Sequence, residues 1–404
     1  MSSDVLVNQN RWDLLPSGAA PRVAVVVTHY EQPGTLPLVL DALHHQTLAP
    51  VEIVVADDGS AVPPEVPAGV RLVRQENLGF RAAAARNLGA AASTAPTLVF
   101  LDADTVPEPG FLAALTQRLA SCPDVLAVGR RRHADLLGDG RELPEPAWLR
   151  DGYARSRNLL DADGRSFRFV ISAAMACRRS LFEDLGGFDK RFVGYGGEDW
   201  DLGYRAWNNG AVLVHERDAV AWHDGPPAGL LPDKDRESLR LSALIPEPAT
   251  RGAPLPALLP DVLVDLASYD ARCVHSLLRQ DHRDLLVRVP HAGHLHVPFT
   301  RTAQWTGDQL ARARVRVRLD EPVALADDSL TPVVDALTRG GLGELVLTAG
   351  GQIVGLAQST RALGRQRRWP GGDVIGAAFG RRDWAMGIVP ARADMAGFFS
   401  SPWS

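Results

Sequence analysis

R-V-A-V-V-V-T-H-Y, residues Arg22 to Tyr30, decides how the rest of the chain is read. Four valines and an alanine in a row leave no polar face. A strand built from them must be buried on both sides, as strands of a parallel sheet are. Working outward, Leu36 to His45 has apolar residues at helical spacing. Val51 to Ala56 repeats the buried-strand pattern, and Val70 to Arg74 is a third strand. An alanine-rich helix is expected from about Ala82 to Ala92, and a fourth strand from Thr97 to Leu101. Strands alternating with helices form an open α/β sheet. Ligands of such sheets bind beyond the carboxyl ends of the strands. Two acidic turns fall at those ends, D-D-G-S from Asp57 to Ser60 and L-D-A-D-T from Leu101 to Thr105.

The chain has 404 residues, 46% hydrophobic and 23% charged, which is globular composition and enough length for two or three domains. A net charge of −5 argues against whole-protein attraction to nucleic acid or an anionic membrane. Cys122, Cys177 and Cys273 lie far apart without metal spacing, so no disulfide scaffold is expected and a cytoplasmic location fits. The first residues lack a basic start followed by an apolar core, so no signal peptide is expected. No apolar run approaches the roughly 20 residues of a membrane helix.

Residues two apart on a strand point the same way, so Asp102 and Asp104 can face one point. Two carboxylates at a strand end suit Mg²⁺ or Mn²⁺. The competing reading is a helix N-cap, given Pro107 and Glu108 just beyond. The second acidic motif is G-Y-G-G-E-D-W-D-L-G-Y-R, Gly194 to Arg205. Gly196 and Gly197 allow close backbone approach. Glu198, Asp199 and Asp201 put three acids into four positions. A fold keeps such crowding if a cation, a donor or a reaction uses it. Otherwise the acids are the solvated first turn of a helix.

Taken together, V-V-V-T-H-Y-E, V-V-A-D-D-G-S, N-L-G-F-R-A-A-A-A-R-N-L-G and F-L-D-A-D resemble the nucleotide-binding half of an inverting, family 2-type glycosyltransferase with the GT-A fold. The stretch from Ser172 to Arg205 resembles the galactosyltransferase-like C-terminal segment of β-1,4-galactosyltransferases. The resemblance covers about residues 21 to 225. It implies that Asp57 accepts a hydrogen bond from the base, and that Thr28, Tyr30 and Glu31 lie at the base and ribose. Asn77, Gly79 and Arg86 would line the nucleotide, Arg86 as a fork for a phosphate or base edge. Asp102 and Asp104 become metal and ribose ligands, with His223 of A-W-H-D-G as a third metal ligand. Asp199 falls at the catalytic base, with Glu198 bonded to acceptor or backbone and Gly197 at the nucleotide sugar. Trp200 stands where the family's G-G-E-D-D-D pattern has an acid. Tyr195 and Trp200 are candidates to stack on a sugar ring, core packing being the alternative.

The remainder is less informative. Residues 129 to 169 are polar, with R-R-R at Arg130 to Arg132, and read as a lid, an acceptor loop or a solvated excursion. Prolines recur from Pro226 to Pro260, a linker carrying a short charged helix near Asp233 to Ser242. Beyond it, Leu285 to Pro290, His294 to Phe299 and Ala311 to Leu319 read as half-buried strands. Leu330 to Leu337 reads as a helix, and a hairpin turns around Ala349 to Gln352. The arginines Arg312, Arg314, Arg316 and Arg318 read as a solvated strand face. His291, His294 and His296 match no metal spacing.

The expected organisation is an N-terminal arm (1–20), a GT-A domain with a mostly parallel central sheet (21–228), a linker (229–260) and a smaller C-terminal α+β domain (261–404). That last domain is expected to help recognise the acceptor or to form a homo-oligomer. The expected activity is metal-dependent inverting transfer of a hexose or N-acetylhexosamine from a UDP-sugar. The acceptor class, glycan, peptide or small-molecule natural product, stays open. One rival is a sugar-1-phosphate nucleotidyltransferase, which should carry a glycine-rich basic loop that T-H-Y-E-Q-P-G lacks. The other is a catalytically silent nucleotide-sugar or glycan-binding protein.

Overall fold

Every residue of Val23–His29 (β1) is buried, at the centre of the first of two sheets in this computed structural model. The structure describes residues 4–224, 234–252, 259–289, 300–301 and 304–389. The chain divides into two units, residues 1–252 with 361–378, and residues 253–360 with 379–404.

In the first unit β1 is followed by Leu36–His44 (α1), Glu52–Asp57 (β2), Val70–Arg74 (β3), Ala82–Ala91 (α2) and Thr97–Asp102 (β4). Helix α1 buries Leu36, Val39, Leu40 and Leu43 against the sheet, the stripe its spacing dictates. Next come Thr105–Pro107 (β5), Phe111–Thr116 (α3), Val125–Ala134 (β6), Glu142–Leu143 (β7), Ala147–Arg155 (α4), Ala174–Arg178 (β8) and Arg179–Asp184 (α5). Glu198–Asn208 (α6), Val212–His223 (β9), Lys234–Leu244 (α7) and Pro248–Arg251 (α8) follow. The strand order is β3-β2-β1-β4-β8-β6-β9-β5, with β7 beside β6. Strands β3, β2, β1 and β4 run parallel, and β8 runs against β4.

Register positions the site. Thr28 is level with Asp102 on one neighbour and His29 with Asp57 on the other, so the carboxyl ends of β1, β2 and β4 share one edge. Pairing of β5 with β9 sets Thr105 against His223, and the Asp224 amide donates to the Asp104 carbonyl at 2.8 Å. The chain thus returns to the D-x-D turn over a hundred residues later.

Residues 129 to 169 are structured rather than looped out. Arg130–His133 continue β6, paired in parallel with β9 through His133 and His223. The N-terminal stretch is tied down: Asn10 Nδ2 donates to the carbonyls of Leu159 and Leu213 at 2.6 and 2.8 Å.

The second unit contains Val262–Leu266 (β10), Ala271–Leu278 (α9), Leu285–Arg288 (β11), Thr300–Arg301 (β12), Gly307–Arg312 (α10), Val315–Leu319 (β13), Leu330–Thr338 (α11), Glu344–Ala349 (β14) and Gln352–Ser359 (β15). The helices Thr360–Arg368 (α12) and Val374–Ala378 (α13) follow, and Arg381–Ala385 (β16) closes the sheet. Its order is β12-β11-β10-β13-β15-β14-β16, parallel except where β15 opposes β13 and β14. This is a smaller, mixed sheet. Residues 361–378, from the stretch read as C-terminal domain, fall in the first unit.

The expected strand Ala311–Leu319 begins only at Val315. Thr306 and Gln309 make a capping box that starts α10, and the helix takes the first arginine. The four arginines form no common face. Arg312 is buried, Arg314 forks onto Asp261 at 2.6 Å twice, Arg316 donates to the Leu310 carbonyl, and Arg318 pairs with Asp320. His291, His294 and His296 lie outside the described residues. Cys122, Cys177 and Cys273 are buried and unbonded.

Candidate active site

Arg86 joins the two acidic motifs. It lies on α2 with 4% of its surface exposed. Its Nη2 donates to Asp102 Oδ1 and its Nη1 to Glu198 Oε1, both at 2.8 Å. Burial opposes its charge, yet Asp102 and Glu198 hold the guanidinium above its ordinary range. The fork expected at a phosphate or base edge thus grips two carboxylates, one ending β4 and one starting α6.

The E-D-W-D acids then part ways. Glu198 faces Arg86. Asp201 is fully buried and accepts from Arg205 Nε at 2.8 Å, one helical turn on, and Arg205 also donates to the carbonyls of Leu185 and Gly187. Asp199 is left with amide donors alone, among them Trp200 N at 2.8 Å. Burial, with the Glu198 charge behind it and Arg86 opposing, raises its carboxyl to about 7. Gly197 caps α6 at φ 92°, and a Cβ there would stand 2.8 Å from the Phe192 ring, so no larger residue fits.

Asp104 accepts from Gln32 Nε2 at 2.7 Å and lies 3.7 Å from His223 Nε2. Burial and then the neighbouring Asp102 charge raise it to about 7, against the pull of Arg131. His223 meets His133 edge to face, with the two Nδ1 atoms 3.4 Å apart. Burial, then Arg131, lowers both imidazoles, His223 to about 3 and His133 to about 4, so both are neutral at pH 7.

At the β1 and β2 ends, Asp57 has no exposed surface. Ser60 Oγ and Arg74 Nε donate to it at 2.5 and 2.7 Å, and His29 Nδ1 lies 2.8 Å away. These bonds outweigh burial and lower its pKa. These partners fix the carboxylate within the turn at the end of β2, where the base contact was expected. Thr28 is buried, and its Oγ1 has no partner. Facing outward are Tyr30, 40% exposed, whose hydroxyl accepts from Asn77 Nδ2 at 3.2 Å, and Glu31, at φ 50°, whose carboxylate accepts from Ala61 N at 2.5 Å. Asn77 in turn accepts from Gly79 N at 3.2 Å. Tyr195 is exposed beside Phe80, ring centres 5.6 Å apart. Trp200 stands 6.1 Å from Trp148 on α4.

This arrangement coincides with a family pattern. A model described as glycosyl transferase family 2 matches residues 24–186, and one described as the N-terminal domain of galactosyltransferase matches residues 165–215. Residues 24–186 are a family 2 glycosyltransferase domain. A galactosyltransferase-like segment continues it through α6, and the fold is α/β with a mixed, mainly parallel sheet. Curated relatives of the glycosyltransferase domain include hyaluronan synthase of Pasteurella multocida, 26% identical over 70% of this chain and 34% of that protein. Validoxylamine A glucosyltransferase of Streptomyces hygroscopicus subsp. limoneus is 29% identical over 56% of this chain and 58% of its own. The chain therefore spans between about a third and three fifths of the length of these relatives. Among solved structures, GalNAc-T7 with UDP, GalNAc and Mn²⁺ is 17% identical over 57% of this chain and 49% of that one, TM-score 0.44. The mannosyltransferase PcManGT of Pyrobaculum calidifontis with GDP-Man and Mn²⁺ is 22% identical over 54% and 63%, TM-score 0.42.

Sequence reading of the glycosyltransferase domain missed Gln32, His133 and Trp148. None sits in a recognisable motif, and each reaches the site through pairing or packing of distant segments. Arg131 was visible only as part of a charge run. Among the described residues, no helix is long and apolar enough to cross a membrane.

Proposed function

We propose that the domain transfers a glycosyl group from a nucleotide-diphosphate sugar, a UDP-sugar, to an acceptor nucleophile with inversion. The observation that carries this reading is the Arg86 bridge. It ties the D-x-D strand end to the residue before Asp199, so donor acids and base belong to one site. Asp199 is the general base. A carboxyl raised to about 7 is ionised in half the molecules at neutral pH and takes a proton readily. It accepts the acceptor's proton while that oxygen or nitrogen attacks the anomeric carbon from the face opposite the leaving nucleotide. Glu198 and Arg86 position Asp199, and Arg86 anchors Asp102. Tyr30 and Asn77, at the open edge, are the residues for the nucleoside.

The expected cofactor is Mn²⁺ or Mg²⁺. Among the described residues no three His, Cys, Asp or Glu side chains are grouped to hold an ion. The pair Asp104 and His223 nonetheless fits one, offering a carboxylate and a neutral imidazole nitrogen 3.7 Å apart. The raised Asp104 marks a carboxylate short of positive charge. Asp104 and His223 would hold the ion, and Asp102 keeps Oδ2 for the ion or the ribose. A bound cation offsets the charge that builds on the leaving diphosphate.

Nucleoside-diphosphate release from a panel of nucleotide sugars, with Mn²⁺ present, tests the reading. Turnover with one or two donors and its loss in Asp199→Asn are expected. No turnover with any donor would favour a silent binding protein.

A further inference from the structure

A cavity of about 170 Å³ lies between β6 and α4. Its lining is basic. Arg130, Arg131, Arg150 and Arg217 face it together with a single carboxylate, Glu145, which is 2.8 Å from Arg130. Arg150 and Arg217 have exposed aspartates beside them, Asp151 and Asp218. Arg131 has no hydrogen bond and no ion pair, and its Nε is buried without a partner. Its charge acts on Asp104 without forming an ion pair with it, so the guanidinium keeps donors for an added anion.

The floor is Tyr153 stacked on His215, ring centres 3.5 Å apart and planes within 1°. His215 is 5% exposed, and its Nδ1 is 2.9 Å from Asn158 Oδ1. An amide oxygen only accepts, so Nδ1 carries the hydrogen and Nε2 keeps a lone pair. That Nε2 is buried and also unpartnered. The cavity therefore presents four guanidinium groups against one carboxylate, an excess of donors that an anionic group would match.

Its position is on the acceptor side. Helix α4, which brings Arg150 and Tyr153, packs Trp148 against Trp200, the residue after Asp199. Strand β6, which brings Arg130 and Arg131, runs on to His133 beside His223. Resting on the glycosyltransferase reading above, we propose that this cavity binds an anionic group of the acceptor, a carboxylate or a phosphate flanked by hydroxyls, with Arg131 as its principal contact.

The test is calorimetry on the full chain saturated with UDP and Mn²⁺, using glucuronate, glucose 6-phosphate and glucose as probes. At least one anionic sugar should bind about tenfold or more tightly than glucose, the preferred probe telling carboxylate from phosphate. Arg131→Gln should weaken that binding about tenfold while keeping a cooperative thermal transition. If that variant does not fold, Arg150→Gln and Arg217→Gln carry the test, each with a loss of about threefold. Glucose binding as tightly as both anions, or no loss in a folded Arg131→Gln protein, overturns the proposal. Anion binding seen in a parallel titration without UDP and absent in its presence also overturns it, since the donor site would then be the one measured. Failure of the glycosyltransferase reading shows separately, as no UDP binding to the unsubstituted protein.

Discussion

Replacing Arg86 with methionine removes the group that joins β4 to α6 while keeping an unbranched side chain of similar length. Two hydrogen bonds of 2.8 Å to charged partners are lost, and Glu198 and Asp102 keep only 9% and 27% of their side-chain surface exposed. Each bond to a charged group is worth about 1.5–3 kcal/mol net, and unpairing a buried carboxylate costs about 3–5 kcal/mol. Asp102 is partly wet, so its share is the smaller, and a loss of about 3–5 kcal/mol for the whole bridge follows. That is a large part of the 5–15 kcal/mol typical of a folded domain. For a unit of this size it corresponds to a fall of roughly 6–20 °C in Tm. Urea unfolding followed by near-ultraviolet circular dichroism reads it. A double-mutant cycle with Glu198→Gln should return a coupling above about 1 kcal/mol, as for residues in one network. Arg86→Lys should rescue little, because one ammonium cannot fork onto two carboxylates. A methionine variant destabilised by under 1 kcal/mol, or full rescue by lysine, would falsify the bridge as the organiser of the site.

Asp199→Asn should cut turnover by about 10²–10⁴-fold with UDP affinity kept. With the base at about 7, the wild-type rate should rise with pH through neutrality and level off above it, and a profile flat from pH 5.5 to 8.5 would contradict the assignment. The same raised carboxyl binds its proton more tightly folded than unfolded. Its contribution to stability is therefore full below about pH 4 and lost as pH rises through 7, a slope that denaturant titrations should find reduced in Asp199→Asn. Asp104→Ala should weaken Mn²⁺-dependent UDP binding by about tenfold or more, and unchanged calorimetric affinity would count against a cation at that carboxylate. His133→Ala removes the ring that orients His223 and should lower Mn²⁺ affinity about 10–100-fold, with UDP affinity in the absence of metal unaltered.

Chain-local pattern settled a good deal. The run Val23–Val27 leaves no polar face, so a buried parallel strand was dictated before any partner was known. The helices at Leu36 and Ala82 and the strands at Glu52, Val70 and Thr97 were legible for the same reason, period and composition acting over a few residues. The acidic turns could be placed at strand ends, and Asp102, Asp104 and Asp199 stood out as chemically loaded. Where charges interrupt the pattern, reading failed. Arg130–His133 look like solvent-exposed chain, yet backbone pairing with β9 does not depend on side-chain polarity, so they continue a strand. The Ala311–Leu319 alternation was overruled by a cap at Thr306, a contest between local hydrogen bonds and a periodicity of two.

The partners of each charge belonged to tertiary structure alone. Sequence spacing could not show that Arg86 faces Glu198, 112 positions away, or that Asp57 is enclosed by His29, Ser60 and Arg74. Nor could it bring His133 to His223, or leave Arg131 Nε buried without a hydrogen-bond partner. Which residues are strand and which are acid follows from the covalent chain. Which acid meets which cation depends on how separate segments pack, because an ion pair depends on distance in space, and folding sets that distance independently of order along the chain.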